Sequence, residues 1–292
     1  MLNQAPTPSV PVAEEVGRLY DRMTQLAATF MEEEARQGYN GHLGYWDTPE
    51  SELGFEEATD RLTDVMTERL RIGAGSHLLD VGCGVGGPAL RIARRTGAAV
   101  TGISVSQEQV AHANELARAA SLPDRLVFQH LNAMELPYAD ASFDAVLAIE
   151  SMVHMPDRAQ VLREMRRVLR PGGRIVLTDF YRREPSDPDP GDPRQSAAST
   201  AAHALRQTMG STTLPVDDYP PMLRASGLQF VEMLDITEET VPKSFAVLAE
   251  RAERLRLKLG DTEAACYFNP QAVINVPALG CFLVVARRPQ GD

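Results

Sequence analysis

A glycine-rich loop between a strand and a helix restricts the folds open to this chain more than any other segment. Residues 78–88 read LLDVGCGVGGP, an apolar run that breaks at Gly82 and passes through four glycines into a helical stretch. Glycine permits positive φ angles and close approach of a ligand to the backbone. The first N–H groups of the following helix can face that ligand. The loop also matches the spacing GxGxxG, which alone is a weak signal.

Strands and helices alternate after this loop. Apolar strand-like runs follow amphipathic helical stretches up to residue 180, and the links between them are short. Such alternation predicts an α/β fold with a doubly wound, parallel sheet. Two later strand-like runs complete the pattern. The predicted strands cover residues 77–81, 98–105, 126–131, 143–149, 174–180, 228–236 and 280–286.

Charge and cysteine content argue against several classes of protein. The 292 residues contain 29 Lys and Arg against 40 Asp and Glu, a formal net charge of −11, whereas a nucleic-acid-binding face needs clustered Lys and Arg. No apolar run approaches the roughly 18–20 residues that span a bilayer, and residues 1–12 lack the basic and apolar regions of a secretory signal. The three cysteines form no disulfide pattern. We therefore expect a cytoplasmic protein that binds neither nucleic acid nor membrane.

Two features near the glycine loop discriminate between nucleotide ligands. Asp80 lies two residues before Gly82, where a carboxylate repels a pyrophosphate and attracts an ammonium group. The second strand ends at Ser104, whereas a dinucleotide site needs an acid near there for the ribose hydroxyls. Both features disfavour an NAD-dependent oxidoreductase. A nucleoside with a cationic amino-acid tail and no phosphate fits better, and S-adenosylmethionine is such a ligand.

Further segments follow in the order typical of one enzyme family. LLDVGCGVGGP resembles the first motif of the class I S-adenosylmethionine-dependent methyltransferases, and the resemblance covers most of residues 13–180. Within that family the chain is similar to bacterial natural-product methyltransferases of the rebeccamycin sugar O-methyltransferase type. The other matching segments are HLGYWD at 42–47, VTGISVSQEQV at 100–110, NAMELPYADASFD at 132–144, AIESMVHMPD at 148–157 and VLRPGGRIVLTDF at 168–180.

The resemblance implies a seven-stranded Rossmann-like sheet and a set of cofactor-binding positions. Gly82 and Gly84 would contact the methionine part of the cofactor, and Asp80 its amino group. Glu150, at the end of the fourth strand, is a further cofactor-binding position. The ribose positions are Ser104 and Gln109, the adenine positions are Asn132 and Ala133, and the aromatic pair Tyr45 and Trp46 is expected to face the site.

The same resemblance indicates where a catalytic base would lie. The related O-methyltransferases carry two adjacent histidines before Met-Pro-Asp, whereas this chain has Val153 and His154. An imidazole titrates near neutral pH and suits proton removal from a hydroxyl. We expect His154 to be the base and Asp179, at the end of the fifth strand, to orient it or contact the acceptor. Tyr20 and the acidic run 32–34 are the alternative bases.

The chain is expected to divide into three parts. Residues 1–12 contain three prolines and no periodicity, which predicts a disordered tail. Residues 13–55 would form an N-terminal helical lid, and residues 56–292 the class I methyltransferase domain. A variable acceptor-binding cap is expected after the fifth strand, at about 181–275.

The predicted function is transfer of a methyl group from S-adenosylmethionine to an O, N or C atom of a small-molecule acceptor in bacterial secondary metabolism. No metal is predicted, and a homodimer is compatible with the sequence. Two alternatives stay open. One is the same fold recruited for a cyclisation without methyl transfer, and the other is a non-catalytic S-adenosylmethionine-binding protein.

Overall fold

A central sheet of mostly parallel strands carries the fold of the computed structural model, which describes residues 12–30, 40–182, 212–259 and 279–291. The predicted tail, apart from residue 12, lies outside the described residues. So do the acidic run 32–34 and much of the predicted cap, at 183–211 and 260–278.

The strands confirm the predicted doubly wound sheet. Seven of them follow the order β3-β2-β1-β4-β5-β8-β7, with β8 antiparallel to both of its neighbours, and β6 adds a two-residue eighth strand beside β5. The central pairs are parallel. The strands are β1 His77–Val81, β2 Ala99–Ser104, β3 Leu126–His130, β4 Phe143–Ile149, β5 Leu169–Arg182, β6 Leu214–Pro215, β7 Gln229–Asp235 and β8 Leu279–Arg287.

Seven α-helices and two short 3₁₀ turns surround the sheet over the described ranges. None of these helices is both long enough and apolar enough to cross a membrane. The helices are α1 Ala13–Phe30, α2 Phe55–Leu70, α3 Gly87–Thr96, α4 Gln107–Ala119, α5 Arg158–Val168, α6 Tyr219–Ala225 and α7 Thr237–Leu259, and the 3₁₀ turns are Met152–His154 and Val216–Asp218.

Alternating side chains of the strands divide the core into two layers. Successive residues of a strand point to opposite faces of a sheet, so Leu78 packs with one layer and Leu79 with the other. Helices α2, α3 and α4 cover the first layer, and α5 and α6 cover the second. Both faces are therefore buried, as a parallel sheet requires.

Helix α1 docks on the start of α4. A carboxylate oxygen of Asp21 accepts hydrogen bonds from the Ser106 hydroxyl (2.6 Å) and from the backbone N–H of Glu108 (3.1 Å). Both donors belong to the helix N-terminus, where an anion is favourable. Gly17 allows the close approach, because a Cβ there would lie 2.4 Å from the carbonyl oxygen of Val105. Asp21 and Gly17 thus fix α1 against the end of β2.

We expect Gly17→Ala to loosen α1 without weakening the sheet. The added methyl group would meet a backbone atom, and such overpacking costs about 1–3 kcal/mol. Hydrogen exchange should accelerate in α1 and stay unchanged in β1 and β4. Arg18→Ala is the matched control, because the Arg18 side chain is 66% exposed. Equal exchange in α1 of the Gly17→Ala variant and the wild type would contradict the close docking.

Candidate active site

A cavity of about 410 Å³ lies at the carboxyl ends of the central strands. Its walls include helix α1, residues 40–43, the glycine loop and helix α7. In an open α/β sheet a ligand binds at this edge. Ten of the thirteen predicted site residues line the cavity: Tyr20, Asp80, Gly82, Gly84, Ser104, Gln109, Asn132, Ala133, Glu150 and His154.

The glycine loop has the backbone conformation that its sequence requires. Gly82 and Gly84 have φ angles of 82° and 53°, which residues other than glycine rarely adopt. A Cβ on Gly82 would lie 2.4 Å from the Cβ of Ser151, whereas a Cβ on Gly84 would meet no atom within 4 Å. The space beside Gly84 belongs to the cavity. A ligand can therefore lie directly against the backbone at this point.

Asp80 supplies a buried carboxyl group next to the glycine loop. Its side chain is 2% exposed, and its Oδ2 atom has no hydrogen-bond partner among the residues that the structure describes. Burial raises the pKa of this carboxyl to about 7. A cationic group in the cavity would supply the missing partner and favour the ionised form. The ammonium group of S-adenosylmethionine fits this requirement.

Polar side chains at the end of β2 form the second part of the site. The Ser104 hydroxyl donates to Gln109 Oε1 over 2.8 Å. Ser106 caps α4, as predicted, by accepting from the backbone N–H of Gln109 over 3.1 Å. Asn132 Oδ1 accepts from the N–H of Met134 over 3.0 Å. These groups can donate to and accept from ribose hydroxyls and an adenine ring.

Glu150 links the end of the fourth strand to Leu43. It has a φ angle of 48°, and its Oε1 accepts from the backbone N–H of Leu43 over 3.0 Å. Desolvation raises the pKa of this carboxyl to about 8, although the Leu43 hydrogen bond lowers it. Glu150 is thus a second carboxyl group in the cavity that a neighbouring positive charge would ionise.

Tyr20 and His154 meet across the cavity. The Tyr20 hydroxyl lies 2.8 Å from His154 Nε2, and the two rings are nearly perpendicular. A second histidine, His42, also lines the cavity, but its nitrogens contact the Leu43 carbonyl oxygen at 2.8 Å and the Thr63 hydroxyl at 3.4 Å. Burial lowers the pKa of His42 to about 4. Of these two histidines, His154 is therefore the one that contacts Tyr20, the alternative base predicted from the sequence.

Three predicted site residues are not among the described residues that line the cavity: Tyr45, Trp46 and Asp179. The first two belong to a segment held between α2 and α7. The N–H of Tyr45 donates to the Ala58 carbonyl, and the N–H of Trp46 donates to the Glu239 carbonyl. The Trp46 indole, 4% exposed, packs on Phe55 and donates to the Leu53 carbonyl over 2.9 Å. Both aromatic residues hold this segment in place instead of facing the cavity.

Asp179 points away from the cavity because of its position in β5. It is fully buried and bonds to Arg158, Tyr219 and the backbone N–H of Phe180. Phe180 lines the cavity, and its neighbour Asp179 takes the opposite face. No hydrogen bond joins Asp179 to His154 among the described residues, and Asp179 does not line the cavity. The geometry thus disfavours contact of Asp179 with an acceptor, whereas the expectation that Asp179 orients His154 stays a prediction.

Several residues of the cavity were not predicted. Phe180 has a signal in the sequence, because it is the last residue of the matched fifth-strand segment. The residues of α7 have none, since an amphipathic helix does not reveal what its apolar face covers. The residues missed include Leu43, Phe180, Phe245, Leu248, Arg251 and Leu279.

The fold and the site together define a Rossmann-like protein that binds a cationic nucleoside without phosphates. The family described as "Methyltransferase domain" matches residues 79–177. The methyltransferase GfsG of Streptomyces halstedii is 42% identical over 81% of this chain and 80% of its own length. The 27-O-demethylrifamycin SV methyltransferase of Amycolatopsis mediterranei is 40% identical over 96% of this chain and 98% of its own length. The chain belongs to the class I S-adenosylmethionine-dependent methyltransferases and acts on small molecules with that cofactor.

One solved structure adds a relative of different activity. The [4+2]-cyclase SpnF is 32% identical, with a TM-score of 0.78 over 97% of this chain and 98% of its own. A geranyl diphosphate C-methyltransferase from Streptomyces coelicolor, solved with S-adenosyl-L-homocysteine, is 20% identical with a TM-score of 0.71. The second likeness concerns the fold alone.

We expect Gly84→Val to abolish cofactor binding. The side chain would enter the cavity and would also adopt a positive φ angle. The strain alone costs about 1–3 kcal/mol, and steric overlap with the ligand adds to it. Gly75→Val is the matched control, because Gly75 has a φ of 88°, also meets no atom within 4 Å and lies outside the cavity lining. Calorimetry with S-adenosylhomocysteine should show lost binding only for Gly84→Val, and unchanged affinity would contradict the assignment.

Cofactor binding should release a proton from Asp80 near neutral pH. With no cation beside it, this carboxyl holds a proton below about pH 7, and a neighbouring ammonium group favours loss of that proton. Affinity should therefore rise as the pH increases through about 7. Calorimetry in phosphate and Tris buffers measures the released proton.

Asp80→Asn should reduce this proton release and weaken binding about 10- to 100-fold, since a hydrogen bond to a charged group contributes about 1.5–3 kcal/mol. Asp140→Asn, whose side chain is 74% exposed, should behave as wild type. Equal proton release by the Asp80→Asn variant and the wild type would place the ammonium group elsewhere.

Proposed function

We propose that this enzyme methylates a hydroxyl group of a mostly apolar natural product. The observation that carries the proposal is the Tyr20–His154 pair, a phenol and an imidazole 2.8 Å apart in the cavity. A hydroxyl acceptor needs such a base, whereas a neutral amine does not need to lose a proton before it attacks. The name of the rifamycin relative, an O-methyltransferase of a natural product, supports the same choice of atom.

The remaining walls of the cavity support an apolar acceptor. Phe180, Phe245 and Leu248 form an apolar surface on the side of α7. Arg251 follows on the same helix, with its guanidinium group 4.7 Å from the centre of the Phe55 ring and paired with Glu56. Apolar walls with a few polar groups are typical of small-molecule sites.

The proton of the acceptor hydroxyl would leave through Tyr20. The Tyr20 oxygen accepts that proton while its own proton passes to His154 Nε2, which becomes an imidazolium. The acceptor oxygen keeps the electron pair that forms the new bond to carbon. The cofactor, when bound, supplies a methyl group activated by a positively charged sulfur. A positioned base of this kind contributes roughly 10²- to 10⁴-fold.

Residues 13–55 would act as a lid over this reaction. Val16, Tyr20 and Met23 of α1 belong to the cavity wall, although α1 lies outside the sheet. A lid excludes water and completes the catalytic set when it closes. On this proposal the catalytic pair exists only when α1 is docked, because Tyr20 is on the lid and His154 is on the sheet.

A cyclisation is the second candidate function. The 32% identity with the [4+2]-cyclase SpnF over nearly the whole chain favours it. The two candidates differ in one product, because methyl transfer converts the cofactor to S-adenosylhomocysteine and a cyclisation does not.

The direct test is incubation with S-adenosylmethionine labelled in its methyl group. The first probe is 27-O-demethylrifamycin SV, which the name of the relative identifies as an acceptor. A panel of apolar natural products with free and with blocked hydroxyls follows. A labelled ether product supports the proposal. Label in an amine or on carbon would contradict it, and so would a rearranged product with an intact cofactor.

We expect His154→Ala to lower turnover about 10²- to 10⁴-fold and Tyr20→Phe to lower it less, because Nε2 is then open to the acceptor itself. Cofactor affinity should stay within a few-fold of wild type in both. His112→Ala and Tyr45→Phe are matched controls outside the cavity lining. Turnover is measured against pH. With cofactor saturating at every pH, the acidic limb of the wild-type profile should disappear in His154→Ala, and identical profiles would show that His154 is structural.

A further inference from the structure

A buried network on the far side of β5 connects the sheet to the segment that follows residue 211. Its centre is Asp179, which is fully buried together with Tyr219. The Tyr219 hydroxyl donates to Asp179 Oδ2, and Arg158 Nε lies 3.4 Å from the same oxygen. The Arg158 side chain is 5% exposed. Burial of a charged pair this deep is costly unless further hydrogen bonds satisfy its remaining donors.

Arg158 satisfies those donors at Thr212. Its Nη1 donates to the Thr212 hydroxyl over 3.0 Å, and its Nη2 donates to the Thr212 carbonyl oxygen. The guanidinium group thus binds the carboxylate with one nitrogen and a single residue of the neighbouring segment with the other two. A planar guanidinium with donors in a fixed fork can do this, whereas the ammonium group of lysine cannot.

Thr212 in turn holds the turn that carries His154. Its backbone N–H donates to the Val153 carbonyl over 2.8 Å, and its hydroxyl lies 3.4 Å from the same oxygen. Val153 and His154 belong to one 3₁₀ turn and both line the cavity. The next residue, Thr213, lines the cavity as well. A continuous set of hydrogen bonds therefore runs from Asp179 through Arg158 and Thr212 to the residue before His154.

We propose that Arg158 and Asp179 are positioning residues that act through Thr212. They fix the turn at Val153, so that His154 Nε2 lies within hydrogen-bond distance of the Tyr20 hydroxyl, and they set Thr213 in the wall of the cavity. Asp179 takes no proton from His154, because its carboxylate is bound by Arg158 and Tyr219 on the opposite face of the strand. The inference rests on the proposed role of His154, and its test below needs no acceptor.

The test is NMR of the protein labelled with ¹⁵N in its histidine rings, with S-adenosylhomocysteine present. His154→Ala assigns the Nε2 resonance. Arg158→Lys keeps a cation beside Asp179 but cannot reach both the hydroxyl and the carbonyl oxygen of Thr212. Thr212→Val keeps the shape of the side chain and removes its hydroxyl. Both variants should shift the His154 Nε2 resonance toward the position of an imidazole that has lost its tyrosine partner, as in Tyr20→Phe.

Thr212→Ser is the rescue variant, because it keeps the hydroxyl, and its His154 resonance should match wild type. A wild-type His154 resonance in both Arg158→Lys and Thr212→Val would overturn the proposal. The same spectra recorded against pH give the titration midpoint of His154. A midpoint that is displaced in Asp179→Asn and unchanged in the other two variants would also overturn the proposal, since Asp179 would then act on His154 directly. Unchanged turnover in His154→Ala would contradict the proposed function, and this result is independent of the NMR spectra.

Discussion

Parallel pairing of the central strands brings the polar groups of the site to one edge of the sheet. β1 pairs in register with β2 and β4, so that Asp80 lies opposite Gly102 and Leu147. Parallel strands have their carboxyl ends at the same edge, and Ser104 and Glu150 therefore reach the cavity that Asp80 also lines. The left-handed φ of Glu150 costs roughly 1–3 kcal/mol. The Leu43 hydrogen bond and the packing of β4 hold that conformation.

The strands of the sheet supply ionisable carboxyl groups to the cavity, and helices outside the sheet form part of its walls. The pKa values of Asp80 and Glu150 are raised because both carboxyls are buried away from water. Residues of α1 and α7, which are far apart in the chain, line the same cavity. Burial also strengthens the attraction between an ionised carboxylate and a sulfonium or ammonium group. The raised pKa values and the affinity for a cation therefore have the same physical cause.

Most of the sheet and its cofactor edge follow from the sequence, because they depend on local signals. The strand-to-loop break at Gly82, the acid at Asp80 and the cap at Ser106 are each visible within a few residues. Asp179 could not be placed by the same reasoning. Strand ends meet at one edge, but the side chain of each last residue points to one face or the other. Asp179 shares its face with Ile175 and Leu177, so counting residues along β5 would have placed it correctly.

Contacts between distant segments account for the rest of what the sequence did not reveal. Trp46 lies in a matched segment, yet its neighbours are Phe55 and the carbonyl of Leu53, and no local pattern specifies them. The residues that the apolar face of α7 covers are likewise not specified by any local pattern. Tyr20 and His154, 134 residues apart, were each predicted to act on the acceptor. Their direct contact required the docking of α1, which depends on Gly17 and Asp21.

The docking of α1 through Asp21 has a thermodynamic consequence. Asp21 accepts from Ser106 and Glu108 at the start of α4, and the adjacent residue Gln109 bonds to Ser104 in the cavity. The N-terminus of α4 therefore contacts both the docked α1 and the polar residues at the edge of the cavity. Coupling between two binding events is reciprocal. If a ligand at Gln109 stabilises the docked α1 by a given free energy, the docked α1 stabilises binding of that ligand by the same amount. The coupling can therefore be measured either from the docking of α1 or from the affinity for the ligand.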